Sequence, residues 1–372
     1  MPNLEYYIGS ERDDAALRSV LHQTPMDGPI KMTFEREPSF FGVKHLEGSF
    51  HQTIVGRDSK SGKVFGVTNR SIRQLYFNGK IESVGYLGLM RLLPEYQTGF
   101  PALRGYQYCK KLHLDQKTQF YLTSIMDGNE PALKLLKSGV RGLPRYQEYS
   151  HFCTRSIPVR VKPKKTIIST TISIIDGQKV DQSALVRFLN QYGKQHQFYP
   201  MWTQETLFNP EHTPGLKPEN MLVAIKNEKI VGCMAMWDQR SVRQTVIKGY
   251  KNSLSKFEWL INRYSLILGY PPLPKKNSKL KSCFISHVAI EKDSPDIFLE
   301  LLTQCHNFLI QKKIEYMVIG FDENHPFDHI VKSHFKNVPA YSRIYLVSWE
   351  VDGIDPLQMT DNRLPGIDVA IL

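Results

Sequence analysis

The sequence predicts two tandem domains of one α/β (α+β) fold, each a mixed, mostly antiparallel sheet flanked by helices. One observation is a repeat, because the segment Asp127–Pro131 recurs 195 residues later as Asp322–Pro326. In each copy a second proline follows 13 residues after the first, and a tyrosine follows two residues later. The other observation is the order of the predicted elements, since an amphipathic helix and then an apolar run precede both copies. A period this long indicates duplicated domains rather than a solenoid.

The bulk composition fits this organisation. A chain of 372 residues suits two domains, which we expect at residues 1–160 and 161–372. Five cysteines are scattered without C-x-x-C spacing, which predicts neither a zinc site nor a disulfide framework and fits the reduced thiols of a cytoplasmic protein. No apolar run is long enough to span a bilayer, so we expect no membrane partner.

The formal charge of +12 favours polyanionic ligands such as phosphate-rich cofactors, nucleic acid or anionic lipid. Most lysines are dispersed, but two clusters stand out, at Arg160–Lys165 and Lys275–Lys281. The first lies where a linker between the two domains is needed. We expect both clusters to be solvated loops.

The first half opens with a strand at Tyr6–Ile8 and a helix that begins near Ser10 and ends near Leu21. A less regular stretch follows. Three strand-like runs come next, at His51–Val55, Val64–Phe77 and Ile81–Leu93. The last two are joined by Asn78-Gly79, the dipeptide typical of a tight hairpin, so these strands are predicted to be antiparallel.

The second half repeats the order. We predict a strand at Thr171–Ile175 and a helix that is capped by Asp181 and ends near Leu189. The strands that follow are predicted at Met221–Ile225, Ile230–Trp237 and Cys283–Ile290. Where the first half has its tight hairpin, the second inserts some thirty residues with a predicted helix at Phe257–Leu268.

A short motif follows the third strand of the first half. Pro94, Gln97 and Ala102 fit the V-x-P and [QR]-x-x-G-x-[GA] signature of the GNAT (GCN5-related) acyl-CoA N-acyltransferases, which this half resembles in motif and element order. Phe100 replaces the middle glycine of that signature, and a glycine stands one place earlier, at Gly99. Asn129 followed by Ala132 matches a second landmark of the family, after the next strand.

The resemblance implies acetyl-CoA or CoA as co-substrate, with no metal. A helix N-terminus offers unpaired N–H groups and a positive dipole end to a pyrophosphate, and a glycine lets the backbone approach the ligand. The cofactor-binding residues that it implies are Leu92, Leu93, Gln97, Thr98, Gly99, Phe100, Ala102 and Asn129.

The corresponding turn of the second half, Glu291–Asp296, lacks glycine and carries three carboxylates. Acidic residues at a helix start repel a diphosphate. We therefore expect the first half to bind CoA, and the second to be a degenerate copy that serves packing, acceptor binding or partner contacts.

The chemistry that the resemblance implies is direct attack of an amine on a thioester. Many family members use a tyrosine seven residues after the asparagine as acid, but Leu136 stands there. Tyr146 and the nearby Tyr149 are the substitutes we consider, and Glu82, the only carboxylate of the third strand, is the candidate base. The alternative interpretations are that both tyrosines are packing residues and that Glu82 is a solvated residue of the hairpin.

Three other side chains lie near the acceptor side of such a fold. Arg91 is predicted to be a structural residue or a partner for a substrate carboxylate, since arginine cannot act as a base. His45 and His51 are the histidines in this region.

The leading hypothesis is an acyl-CoA-dependent N-acyltransferase that transfers acetyl to a small-molecule or peptide amine. One alternative is a catalytically inactive CoA-binding or ligand-sensing protein of the same fold, which the missing tyrosine and displaced glycine both permit. A weaker alternative is a nucleic-acid-binding protein, against which the sequence shows no aromatic-basic recognition motif. Small amines, amino acids, aminoglycoside-like compounds and protein termini all fit as acceptors.

Overall fold

The computed structural model describes residues 3–97, 100–136, 140, 142–164, 172–251, 256, 258–267 and 271–372. In the first half, residues 1–160, it has seven strands and four helices among the described residues. They are β1 (Leu4–Ile8), α1 (Asp14–Gln23), β2 (Ile30–Glu35), α2 (Lys44–Glu47), β3 (Phe50–Asp58), β4 (Val64–Phe77), β5 (Lys80–Leu92), α3 (Pro101–His113), β6 (Tyr121–Met126), α4 (Glu130–Leu136) and β7 (Arg145–Pro158).

The second half, residues 161–372, repeats this order with elements added in its insertion and at its end and without counterparts of β2 and α2. Its elements are β8 (Ser173–Asp176), α5 (Gln182–Gly193), β9 (Met221–Lys226), β10 (Lys229–Trp237), β11 (Gln244–Tyr250), α6 (Glu258–Ile267), β12 (Ser282–Ile290), α7 (Pro295–Gln311), β13 (Tyr316–Asp322), α8 (Pro326–His334), β14 (Val338–Ser348) and α9 (Pro356–Met359). None of the described helices is both long and apolar enough to cross a membrane.

The predicted mixed α/β order is confirmed in both halves, and local signals set several boundaries. Asp181 caps α5, its carboxylate accepting hydrogen bonds from the N–H groups of Ser183 and Ala184. Of the predicted boundary residues, Thr171, Phe257 and Leu268 lie outside the described residues, as does Lys165 of the first basic cluster.

Two strands were not predicted. The β2 strand lies in the stretch described above as less regular, and β11 lies in the insertion. They pair with each other as an antiparallel ribbon, with Phe34 opposite Thr245. The ribbon joins the two halves, and neither strand has a sequence neighbour to pair with, which is why no hairpin signal indicated it.

The other twelve strands form one sheet, in the order β1-β3-β4-β5-β6-β14-β7-β13-β12-β10-β9-β8. The last strand of the second half, β14, lies between β6 and β7 of the first half, and β7 lies between β13 and β14 of the second. The two halves therefore exchange their last strands. Two separate domains would each have a complete sheet of their own, whereas these two halves share one sheet.

The β7–β14 pair relates the two halves by a local twofold arrangement. The strands are antiparallel, with Phe152 opposite Ser342 and Ser150 opposite Ile344, and the register shifts at Tyr345. A buried ion pair crosses this region, because Arg155 of β7 binds Asp328 of α8 with two hydrogen bonds of 2.6 Å.

The core is shared as well. Leu46 of α2 and Tyr76 of β4 belong to the same buried cluster as Leu185 and Leu189 of α5 and Trp237 of β10. Each of these side chains exposes 2 % or less of its surface. Burial of such side chains is the main favourable term in folding, so the interface stabilises both halves together.

Candidate functional site

The β5 and β6 strands diverge near the middle of the first half's sheet. They pair in parallel at only two positions, Gly85 with Tyr121 and Tyr86 with Leu122. Thr123 then donates a side-chain hydrogen bond of 2.7 Å to the Leu87 carbonyl, and beyond it the strands form no ladder. The carboxyl ends of the two strands therefore open into a V-shaped cleft.

A bulge in β5 accompanies this divergence. The register against β4 shifts between Val67 and Asn69, and Leu89 has a φ of 56°. Bulges bend a strand and increase its local twist. The bend directs the end of β5 away from β6.

One face of the sheet carries a small cavity beside the cleft. Its volume is about 20 Å³, and its lining includes Met90, Leu92, Pro101, Ala102 and Gly105. These residues come from the end of β5 and the first turns of α3. A cavity of this size holds about one water-sized group.

The N-terminus of α3 points a positive dipole end toward the cleft region. The helix has 13 residues, begins at Pro101, and has no acidic residue in its first turn. No side chain caps it; its first intrahelical bond runs from the Arg104 N–H to the Phe100 carbonyl at 2.9 Å. The N–H groups of the first turn are thus free to meet an anion.

The structure brings most of the predicted cofactor-binding residues to this end of β5 and α3. Leu92 and Ala102 line the cavity, and Gln97 donates a hydrogen bond of 3.0 Å to the Leu92 carbonyl. Phe100 is 70 % exposed at the helix start, whereas Leu93 is 2 % exposed and packs into the core. Two further predicted residues, Thr98 and Gly99, lie outside the described residues.

Asn129 lies after β6, on the other arm of the cleft. Its side-chain oxygen accepts a hydrogen bond of 3.4 Å from the N–H of Ala132, and its carbonyl accepts one from Leu133. The predicted Asn–Ala pair therefore forms the first turn of α4.

The two predicted catalytic residues lie elsewhere. Glu82 is exposed near the start of β5, opposite Leu75, while the cleft opens at the other end of that strand. Tyr146 is half-buried, and its hydroxyl lies 2.8 Å from that of Tyr106 on α3. Burial raises the pKa of Tyr146 well above its usual value. The pKa of Tyr149 is also raised, chiefly by burial.

A polar cluster lies on the opposite face of the sheet from α3. Glu47 of α2 is its centre: it pairs with Arg36, accepts a hydrogen bond of 2.8 Å from Asn69 of β4, and lies 3.1 Å from Nδ1 of His51 on β3. The sequence pointed to His51 but not to the other three. His45 instead contacts the ring of His212 at 5.5 Å.

The cluster is strongly charged. Burial alone would raise the pKa of Glu47, but Arg36, His51 and Arg243 outweigh burial and lower it to about 2. Burial lowers the pKa of Arg243 and that of Arg73 to about 10, and Glu47 opposes both shifts. Glu47 is therefore ionised at neutral pH.

Tyr86 joins this face to the cleft. It occupies the last paired position of β5, and a Cβ atom added to Gly88 would lie 2.5 Å from its ring, so the ring lies over the strand where β5 and β6 begin to separate. Burial raises the pKa of Tyr86 to about 12. The hydroxyl is protonated at neutral pH.

In the second half the equivalent opening is filled. The β12 and β13 strands pair at three positions and then separate, and β12 has its own bulge at His287, with a φ of 52°. The N–H of His287 donates a hydrogen bond of 2.9 Å to Asp368, and Val369 packs against Gly320 of β13. A segment from residues 366–371 thus occupies the space between the two strands.

The turn that follows β12 is also closed by internal contacts. Asp293 accepts a hydrogen bond of 3.1 Å from Tyr192 and lies 3.6 Å from Nε2 of His196, with His325 beside them. The His325 Nδ1 accepts a hydrogen bond from the Phe327 N–H, so the proton of the neutral ring is on Nε2. A metal ion at Nε2 would have to displace that proton, and the structure shows Asp293 bound by Tyr192 and His325 bound by the Phe327 N–H.

Comparison with known proteins gives similarity in structure only. No protein-family profile matches the sequence, and no curated protein sequence matches it. The GCN5-related glucosamine N-acetyltransferase region of a fungal multi-domain GH3 β-N-acetylglucosaminidase superposes with a TM-score of 0.60 at 11% identity, covering 93% of this chain. This chain spans 38% of the length of that enzyme.

Two further structures match along the whole chain. A GCN5-related N-acetyltransferase from Sphaerobacter thermophilus has a TM-score of 0.55 at 10% identity, with 100% of both chains covered. N-myristoyltransferase from Saccharomyces cerevisiae, with bound myristoyl-CoA, has a TM-score of 0.60 at 10% identity, with 100% of this chain and 85% of that chain covered. The predicted GNAT fold, in two tandem copies, is confirmed.

Proposed function

We propose that this tandem GNAT-fold chain is an acyl-CoA-dependent N-acyltransferase and that its first half binds the acyl-CoA. The observation that carries the proposal is the divergence of β5 and β6 after two paired positions, with the uncapped N-terminus of α3 beside the opening. Such a cleft admits an extended thioester-bearing arm between strands, while the helix N-terminus meets the phosphates.

The contrast between the halves supports the first half as the cofactor site. Both helices begin with proline, at Pro101 and Pro295, but the next residue is Ala102 in α3 and Asp296 in α7. A carboxylate at that position repels a diphosphate. The two proposed domains meet near residue 160, because β7 ends at Pro158 and β8 begins at Ser173.

The acyl group that we propose is transferred is acetyl. The cavity beside the cleft has a volume of about 20 Å³, and Leu92 and Phe65 fill the space over Gly66 and Gly56. A long acyl chain would need these side chains to move. Rates with acetyl-CoA that exceed those with octanoyl-CoA and myristoyl-CoA would agree with this assignment.

The reaction of the proposal is direct attack of the amine on the thioester. An alkyl amine is mostly protonated at neutral pH and must lose a proton before it attacks. Glu47 stays ionised and favours binding of the ammonium form, but a carboxylate with a pKa near 2 is a weak base, so water carries the proton away. Tyr86, at the apex of the cleft, is the acid of the proposal and protonates the leaving thiolate.

The proposed location of the protein is the cytoplasm. All five cysteines are buried and unpaired. Proteins of oxidising compartments commonly use such residues in disulfides, whereas reduced thiols are usual in the cytosol.

The test uses a reciprocal pair of variants. Ala102→Asp gives α3 the acid that α7 has, and an acidic residue in a first turn favours the helix, so the fold should persist. Calorimetric titration should show that acetyl-CoA binds to wild type and binds about 10- to 100-fold more weakly to Ala102→Asp, since a nearby like charge costs about 1–4 kcal/mol. Asp296→Ala, the matched control, should bind acetyl-CoA like wild type.

The outcomes separate the competing functions. Acetyl-CoA binding together with release of free CoA in the presence of amines identifies an enzyme. Binding without turnover across amines of several classes identifies a CoA-binding or ligand-sensing protein. Absence of binding to wild type, or a loss of binding in Asp296→Ala rather than Ala102→Asp, contradicts the proposed site.

A further inference from the structure

The face of the sheet opposite α3 has an excess of positive charge. Four guanidinium groups act on one another and on two carboxylates there. The cations are Arg36, Arg73, Arg91 and Arg243, and the anions are Glu47 and Asp368. Burial also raises the pKa of Asp368, which weakens its contribution of negative charge.

Two of the four guanidiniums have no acidic partner. Among the described residues, no carboxylate oxygen lies within 4.0 Å of Arg73 or Arg91. Arg73 donates to the Leu46 carbonyl, which orients the group but leaves its charge unbalanced. Arg243, by contrast, is fully engaged by the Gln239 side-chain oxygen, the Ala370 carbonyl and a Leu372 oxygen.

Arg36 and Asn69 have unsatisfied atoms in the same place. Arg36 is 4 % exposed and pairs with Glu47 through one nitrogen, while its Nη1 is buried without a hydrogen-bond partner. Asn69 is 3 % exposed, and its Oδ1 is likewise unpaired. Buried polar atoms are almost always hydrogen-bonded, so two orphans in one cluster indicate a missing partner.

Arg91 is held by a single side-chain hydrogen bond, to its own neighbour in the strand. Its Nη1 donates a hydrogen bond of 2.8 Å to the carbonyl of the adjacent Met90. Met90 and Leu92 line the cavity beside α3, and Arg91 lies between them in β5, so strand alternation directs its side chain to the opposite face. Successive residues of β5 thus present the acyl side of the cleft and an unpaired cation.

Arg73 and Arg91 are half-buried, and a cation that is partly withdrawn from water without a counter-ion is costly, so folded proteins normally supply a carboxylate. Here the excess charge is beside the point where an acceptor amine would meet the thioester. Arginine also recognises carboxylates through two parallel hydrogen bonds. A ligand that brings its own carboxylate would satisfy both observations.

We infer that the acceptor is an amine that carries a carboxylate, that is, an amino acid or a close analogue of one. This inference rests on the proposed function. Arg91 binds the carboxylate, and Glu47 attracts the ammonium group. The amine nitrogen bonds to the thioester carbon and loses a proton, the C–S bond breaks, and the sulfur takes up a proton, giving an N-acyl amino acid and CoA.

The test measures acceptor choice with the full chain and acetyl-CoA. Each reactive amino acid is compared with its decarboxylated amine and its carboxamide, with free thiol release and product mass as readouts. The expected result is a kcat/KM about 100-fold higher with the carboxylate present, because an unpaired charge is left in the site without it.

Arginine variants test where the carboxylate of the acceptor binds. Arg91→Gln should raise the KM for the amino acid about 10- to 100-fold, since a hydrogen bond to a charged group is lost, and should raise the KM for the carboxamide much less. Arg240→Gln is the matched control, because it loses an ion pair of 2.6 Å with Asp238 outside the cluster. It should keep the wild-type KM.

The two proposals fail in different ways. Equal rates with the decarboxylated amines, or an Arg91→Gln effect of the same size on both acceptors, overturn the carboxylate inference and leave the acyltransferase standing. If acetyl-CoA binds but nothing is acylated, thermal unfolding with CoA and the same amino acids decides. Stabilisation that Arg91→Gln removes supports the inference, and no stabilisation by any amino acid refutes it.

Discussion

The buried ion pair between Arg155 and Asp328 tests how strongly the exchanged strands join the two halves. Arg155 donates two hydrogen bonds of 2.6 Å to the Asp328 carboxylate and one of 2.9 Å to Asn337. Both charged side chains expose 5 % or less of their surface. Asp328→Ala leaves the guanidinium buried without its counter-ion, which costs about 3–5 kcal/mol. That is a large part of the 5–15 kcal/mol typical of a folded protein.

The assay is denaturant unfolding followed by fluorescence and circular dichroism. A second variant, Arg155→Met with Asp328→Leu, replaces the pair by apolar groups and should recover most of the lost free energy, because no charge is left buried. Both probes should report one transition, since the halves share a sheet and a core. A loss below about 1 kcal/mol in Asp328→Ala, or separate transitions for the two probes, would refute this reasoning.

Three other predictions concern the first half. The pKa of Glu47 lies near 2 in the folded protein against an ordinary 4.5, so its carboxylate contributes about 3 kcal/mol above pH 4.5, which is lost as the pH falls toward 2. Glu47→Gln should therefore be less stable than wild type at pH 7, and the difference should vanish near pH 2 in unfolding curves. Gly85→Ala should cost about 1–3 kcal/mol and weaken acetyl-CoA binding, since its Cβ would overlap the ring of Tyr121, whereas Gly42→Ala, with 3.9 Å of room, should be near neutral in thermal unfolding. Tyr146→Phe should cost about 1 kcal/mol for its lost hydrogen bond of 2.8 Å and keep kcat within about twofold, and a larger kcat loss in steady-state assays would make it the acid.

The element order could be predicted from the sequence because its signals are local. Turn residues such as Asn78-Gly79, caps such as Asp181, and hydrophobic periodicity act within a few residues. The exchange of β7 and β14 has no such signal. Each strand would pair equally well beside the strands of its own half, and only the three-dimensional arrangement decides between the two pairings.

The proposed cofactor side of the candidate site could be proposed from sequence, whereas the proposed acceptor side could not. Apart from Asn129, the residues predicted to bind the cofactor form one continuous segment from the end of β5 to the start of α3. The Glu47 cluster is assembled from four separate segments, and no spacing links Arg36, His51 and Asn69. A weaker signal was present in β4, an inner strand between β3 and β5, where Asn69, Arg70, Ser71 and Arg73 interrupt the apolar pattern. Polar residues at buried strand positions are costly without partners, so such a run points to a site.

The exchanged strands also affect how this chain can fold during synthesis. The gap between β6 and β7 is closed by β14, which ends at Ser348, so the second half must leave the ribosome as far as that residue before the first half's sheet is complete. At typical rates of synthesis this takes roughly 10–40 s after β7 has emerged. During that time β6 and β7 expose unpaired backbone edges, which are prone to aggregate. The nascent chain is therefore expected to need chaperone protection until its last strand is inserted.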